Sequence, residues 1–157
     1  MRPLTEGPSA RDANALVELP KFIKRLPSQR ERFGSLRMKA LNVYDSSGRS
    51  TGLTVDGHVS LPRPKRHGET PQVALIWRGV CIRRVDWEVR HEFADGLTVY
   101  GWHEHLWDDV HGIECGLPFE PPLGVEKDLQ EMFVCACHHW NITTRARQDQ
   151  HLREEDR

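Results

Sequence analysis

The chain has 157 residues, with 22 Lys and Arg against 23 Asp and Glu, 38% hydrophobic and 29% charged residues. That is the composition of one polar domain with a modest core, and its balanced charge excludes the whole-chain basic field that would demand nucleic acid. No apolar run reaches the roughly 18–20 residues of a membrane span, and the N-terminus lacks the apolar stretch of a secretory signal, so a cytoplasmic protein with reduced thiols at Cys81, Cys115, Cys135 and Cys137 is expected.

Residues 1–14 read as a flexible N-terminal lead. "ALVELPKFIKRL" (15–26) has helical spacing interrupted by Pro20, which predicts a short helix, a break and a basic turn of helix. From Lys21 to Lys39 basic residues outnumber a single acid, Glu31. Such a segment is a solvated surface, a phosphate-facing patch or a contact for a protein partner. Residues 37–61 read as strand, turn, strand, with turns at Asp45–Gly48 and Asp56-Gly57. A Pro- and Lys/Arg-rich loop (61–71) leads to strands at 72–77, 80–93 and 97–107.

"GLPFEPPLGVEK" reads as a proline-bounded connection. In the helix that follows, Leu129, Met132, Phe133, Ala136, Cys137 and Trp140 form one apolar stripe able to cover a sheet. Residues 143–157 read as a charged flexible tail. The expected fold is a single α+β domain over 15–142: an antiparallel β-sheet with a C-terminal helix packed on one face and a short helical N-terminal part.

The chemistry gathers around "GWHEHLWDD" (101–109). A two-residue turn at Asp95-Gly96 pairs Glu88 with His103, Asp86 with His105 and Arg84 with Trp107, and places these side chains on one face. His91, Val89, Trp87 and Val85 then share the other face, towards the helix. A three-residue turn with a bulge at Gly96 slips this pairing by one and turns the histidines to the helix side. In the first register His103 and His105 are candidates for general acid and base, oriented by Asp86 and Glu88. Arg84 or Arg90 would hold a phosphate, and Trp102 and Trp107 are candidates for substrate contact. The same groups also suit a divalent metal, and an ordinary polar sheet face needs no function at all. No other cofactor is expected. "CACHHW" (135–140) offers a weaker zinc reading through Cys135, His138 and His139, with Cys115 and His111 as a remote second pair. Histidines at a helix C-terminus also complement its dipole.

The run "RRVDWEVRHE", "DGLTVYGWHEHLWDD", a Pro-rich link and "DLQEMFVCACHHWNI" resembles the TumE-like toxins and related small prokaryotic proteins, over residues 72–142. The shared pattern is Arg84 and Asp86 on a strand, a turn at Gly96, His103 and His105 ending a strand, Asp108 and Asp109 in a loop, and a helix closing in Asn141-Ile142. The resemblance implies a cytoplasmic toxin component with a protein antitoxin partner and an RNA-directed activity, with no membrane association. The alternative from another class is a non-enzymatic protein-binding module, such as an accessory or inhibitor protein of a phage or mobile element.

Overall fold

The computed structural model describes residues 7–32, 35–60, 70–121 and 129–144. It is an α+β fold dominated by one nine-stranded sheet. Helix α1 (Ala10–Glu18) starts inside the stretch read as a lead, because Ser9 caps it by accepting from the Asp12 N–H. It stops at Leu19, before Pro20. The predicted basic turn of helix is instead strand β1 (Lys21–Ile23), whose residues are all buried. Tertiary pairing decides this, since β1 is bonded on both sides, to β3 and β9.

The remaining strands are β2 (Gln29–Arg32), β3 (Ser35–Asp45), β4 (Ser50–Ser60), β5 (Thr70–Trp77), β6 (Val80–Glu92), β7 (Thr98–Asp108), β8 (Gly112–Pro118) and β9 (Ile142–Thr144), with helix α2 (Leu129–His139) before the last. Their order is β8-β7-β6-β5-β4-β3-β1-β9, and β2 pairs with β3. All pairs are antiparallel except β1 with β9. Asp56-Gly57, read as a turn, runs on inside β4. Strand β8 begins before the proline-bounded connection and takes in its first residues. Thr143 and Thr144, assigned to the tail, belong to β9. The loop expected at 61–71 falls outside the described residues from 61 to 69, and its last two residues, Thr70 and Pro71, belong to β5; 122–127 of the connection, the first residue of the expected helix at 128 and the tail from 145 also lie outside them.

The stripe on α2 is buried as its spacing predicts, with Phe133, Ala136, Cys137 and Trp140 all 0% exposed. The helix lies against β4, β5 and β9. Truncating Phe133 to Ala there should cost about 3–5 kcal/mol. Asn141 ends the helix in the left-handed conformation, at φ +60, which Asn tolerates better than most residues. Lys21 Nζ donates to the carbonyls of Val17 (2.7 Å), Leu19 (2.5 Å) and Trp140 (2.8 Å). It thereby joins the C-terminal ends of both helices, where a cation is favoured.

The helix face also holds a polar knot. Glu104 accepts from Trp140 Nε1 at 2.9 Å and meets His139 Nε2 at 2.6 Å. Arg83 lies beside Glu104 and donates to Asn14 on α1. Neighbours along β7 point to opposite faces, so Glu104 facing the helix sends His103 and His105 to the other side of the sheet.

Candidate metal centre

The register of the β6–β7 hairpin decides what surrounds these histidines. Phe93 and Leu97 bracket a three-residue loop, with Gly96 at φ +86 and hydrogen bonds from Phe93 N to Leu97 O (2.8 Å) and from Gly96 N to Phe93 O (2.9 Å). This is the bulged turn, and alone it would put the histidines on the helix side. A second irregularity follows, where Val89 and Arg90 together oppose Tyr100 between the pairs Glu88–Gly101 and His91–Val99. Two one-residue shifts restore the alternation but change every partner. The pairs are Asp86 with His103, Arg84 with His105 and Glu88 with Gly101, in place of Glu88 with His103 and Asp86 with His105.

The bulge also curls the hairpin. Its tip reaches over β7, so that Ala94 N donates to Glu114 O on β8 at 3.0 Å. Phe93 comes to rest where a side chain at Gly116 would stand. His91, expected on the helix face, is carried onto the histidine side. Its ring stacks on His103 at 4.7 Å between centroids and meets His105 edge-on at 4.8 Å. His103 and His105 lie under this cover, 0% and 2% exposed.

Each of the three rings has its Nδ1 engaged. His91 Nδ1 is 2.7 Å from Glu88 Oε2, His103 Nδ1 is 2.9 Å from the Gly101 carbonyl and His105 Nδ1 is 2.9 Å from the Ile113 carbonyl. These partners only accept, so each Nδ1 carries a proton and donates it, which leaves Nε2 with the lone pair in the neutral ring. This is how metal-binding histidines are held by their outer partners. Asp86 completes the group. Its Oδ1 lies 2.6 Å from His103 Nε2 and 3.2 Å from His105 Nε2. His103 Nε2 and Asp86 Oδ1 face each other at ion-pair distance, while His91 Nε2 is buried without a hydrogen-bond partner among the described residues. Leaving His91 Nε2 unpaired costs about 1–3 kcal/mol. Ligand atoms of His91, His103 and His105 lie within 4.8 Å of one another, as do those of Asp86, Glu88 and His103.

The remaining Asp86 oxygen, Oδ2, accepts from Arg84 Nε at 2.9 Å, and an Arg84 terminal nitrogen lies 3.1 Å from His105 Nε2. Guanidinium only donates, so His105 Nε2 accepts here. Burial pushes the Asp86 carboxyl up, but His103, His105 and Arg84 outweigh it and hold it well below the usual carboxylate range. Burial works against charge on His103 as well, and there the Asp86 carboxylate prevails and raises the pKa.

The other predicted site residues fall elsewhere. Glu88 orients His91 rather than His103. Arg90 pairs with Glu92 at the surface. Trp107 donates its Nε1 to the Pro8 carbonyl at 2.7 Å, and Trp102 packs against the core. His139 is bound to Glu104, and among the described residues neither Cys135, His138 nor His139 belongs to a cluster of three metal-ligating side chains. Sequence reasoning missed His91 as a site residue, although "RHEF" stands within the same hairpin. It also missed that Asp86 and His103 extend a polar row through Gln72, His58 and Arg37 on neighbouring strands.

No family model, curated protein or solved structure matches this chain.

Proposed function

We propose that this chain is a metalloprotein, with a divalent first-row transition ion held by Nε2 of His103 and His105 and by Asp86 Oδ1, and by Nε2 of His91 once that ring turns out of its stack on His103. The observation that carries this reading is the set of three imidazoles whose Nδ1 atoms are all occupied by acceptors, beside a buried carboxylate oxygen that two of the Nε2 atoms face. Imidazole and carboxylate together suit zinc, iron, manganese, nickel or copper. Equilibrium dialysis against zinc, followed by metal analysis, tests it. Stoichiometric binding by the parent, lost in a His103→Ala/His105→Ala variant, is expected, and no binding by the folded parent would overturn it.

A second reading keeps the toxin-like role, with RNA as substrate and a protein antitoxin. Its support lies away from the histidines, in a groove of about 430 Å³ lined by Lys24, Arg25, Lys39, Asn42 and Tyr44 among others and, among the described residues, by no carboxylate. Basic side chains beside an aromatic ring suit a phosphate backbone. Direct acid–base work by His103 and His105 on RNA is not favoured, because both rings are shielded from solvent. Growth arrest on induction that is lost when Lys24 and Lys39 become Glu, with the fold kept, would support this reading. No arrest by the parent would remove it. For membranes the finding is narrower: among the described residues no helix is long and apolar enough to cross one.

A further inference from the structure

The most informative contact at the centre is the one a metal would break. Arg84 donates to His105 Nε2 and to Asp86 Oδ2, so the guanidinium uses a lone pair that a bound cation would need. A nitrogen lone pair serves one of them at a time. Metal binding must therefore release that end of Arg84, while Nε keeps its bond to Asp86 Oδ2. The side chain has room to turn. It is 26% exposed, and its cross-strand neighbour on β5 is Ala74, which contributes only a methyl group.

Charge then says what the released arm meets. Neutral imidazoles, the Asp86 and Glu88 carboxylates and Arg84 together carry a negative excess, and a divalent ion turns that excess positive. A positive excess in a poorly hydrated site calls for an anion. Guanidinium presents its donors in a fork that matches carboxylate and phosphate oxygens.

We infer that Arg84 is the anion-binding arm of the metal centre, and that the ligand it holds beside the metal is a small oxyanion of the carboxylate or phosphate type. This rests on the metal reading above. Arg84 competes with the metal before loading and recruits the anion after it, so its removal moves the two affinities in opposite directions.

The test uses the full chain and Arg84→Ala, with Arg84→Lys to keep the charge but lose the fork. Cobalt(II) affinity is measured first by competition with a chelator. The cobalt-loaded proteins are then titrated with acetate and, separately, inorganic phosphate, following the visible cobalt spectrum. Arg84→Ala should bind cobalt about tenfold more tightly, since a nearby positive charge and a competing donor are gone. It should bind the anion at least about tenfold more weakly, with Arg84→Lys in between. A response to acetate alone or to phosphate alone assigns the anion class. Anion affinity in Arg84→Ala within about twofold of the parent would overturn the inference while leaving the metal centre standing. So would weaker cobalt binding with unchanged anion response, the pattern of a residue that only positions Asp86. Failure of the parent to bind cobalt at all would remove both proposals.

Discussion

The His91 ring lies parallel to the His103 ring, at an interplanar angle of 11°. The two residues sit on different strands and are not register partners, since His91 pairs with Val99. The bulge at Val89 and Arg90 brings them together, and Glu88 fixes His91 through Nδ1. Glu88→Gln should leave the fold intact, because this side chain is 41% exposed. It should weaken zinc binding by about 10–100-fold, the usual effect of losing an outer carboxylate partner. Calorimetric titration of parent and variant checks this, and an unchanged affinity would take His91 out of the ligand set.

Gly116 pairs with His105, and a Cβ there would run into the Phe93 ring and the Glu104 carbonyl. Backbone cannot yield as a flexible side chain can. Gly116→Ala should therefore cost about 1–3 kcal/mol and lift Phe93 from the histidines. Urea denaturation measures the first effect. Hydrogen exchange at His103 and His105 amides measures the second, and protection equal to the parent's would argue that Phe93 is not the cover.

Stability should depend on pH through His139. The Glu104 hydrogen bond raises the His139 pKa and outweighs burial, which lowers it. The contribution is fully present below the ordinary imidazole value of about 6.5 and is lost as pH rises through the raised folded value. With the His139 side chain 44% exposed, solvent screening keeps it below about 1 kcal/mol. The stability gap between the parent and His139→Gln should thus be widest near pH 6 and close as pH rises through the raised folded value. A gap that is flat across this range would show that the pair contributes through packing alone.

Lys21 gives a dependence of opposite sign. Burial lowers its pKa from 10.5 to about 8. Between those values the unfolded chain holds a proton that the folded chain has released, so stability rises with pH there. Lys21→Met should remove that rise. It should also destabilise the protein by roughly 3 kcal/mol at neutral pH, because three carbonyls lose their donor. Urea midpoints from pH 7 to 10.5 test both parts together.

Periodicity carried the long elements. The α2 stripe, the strands β5, β6 and β7, and the shared side of His103 and His105 within β7 all follow from residue spacing. Boundaries set by tertiary contact did not. "KFI" is strand because β3 and β9 flank it, and three-residue β9 has no pattern of its own. The hairpin partners were illegible for a specific reason. A turn residue such as Gly96 fits either loop length, and nothing local marks Val89-Arg90 as the place where an extra residue is absorbed. The candidate face survived because two errors of one residue cancelled, while Glu88, Arg90 and the two tryptophans changed roles.

The parallel contact of β1 with β9 has a consequence for synthesis. Strands β3 to β8 pair with their sequence neighbours and can form in the order in which they leave the ribosome. Lys21 has to wait for the Trp140 carbonyl, 119 positions later, and β1 for Ile142 to Thr144. Until then the nascent chain carries a sheet with one apolar face open to water and one edge unpaired. Closing that face over such a separation is slow. A stalled chain ending near residue 121 would therefore be the form most exposed to aggregation and to chaperone capture.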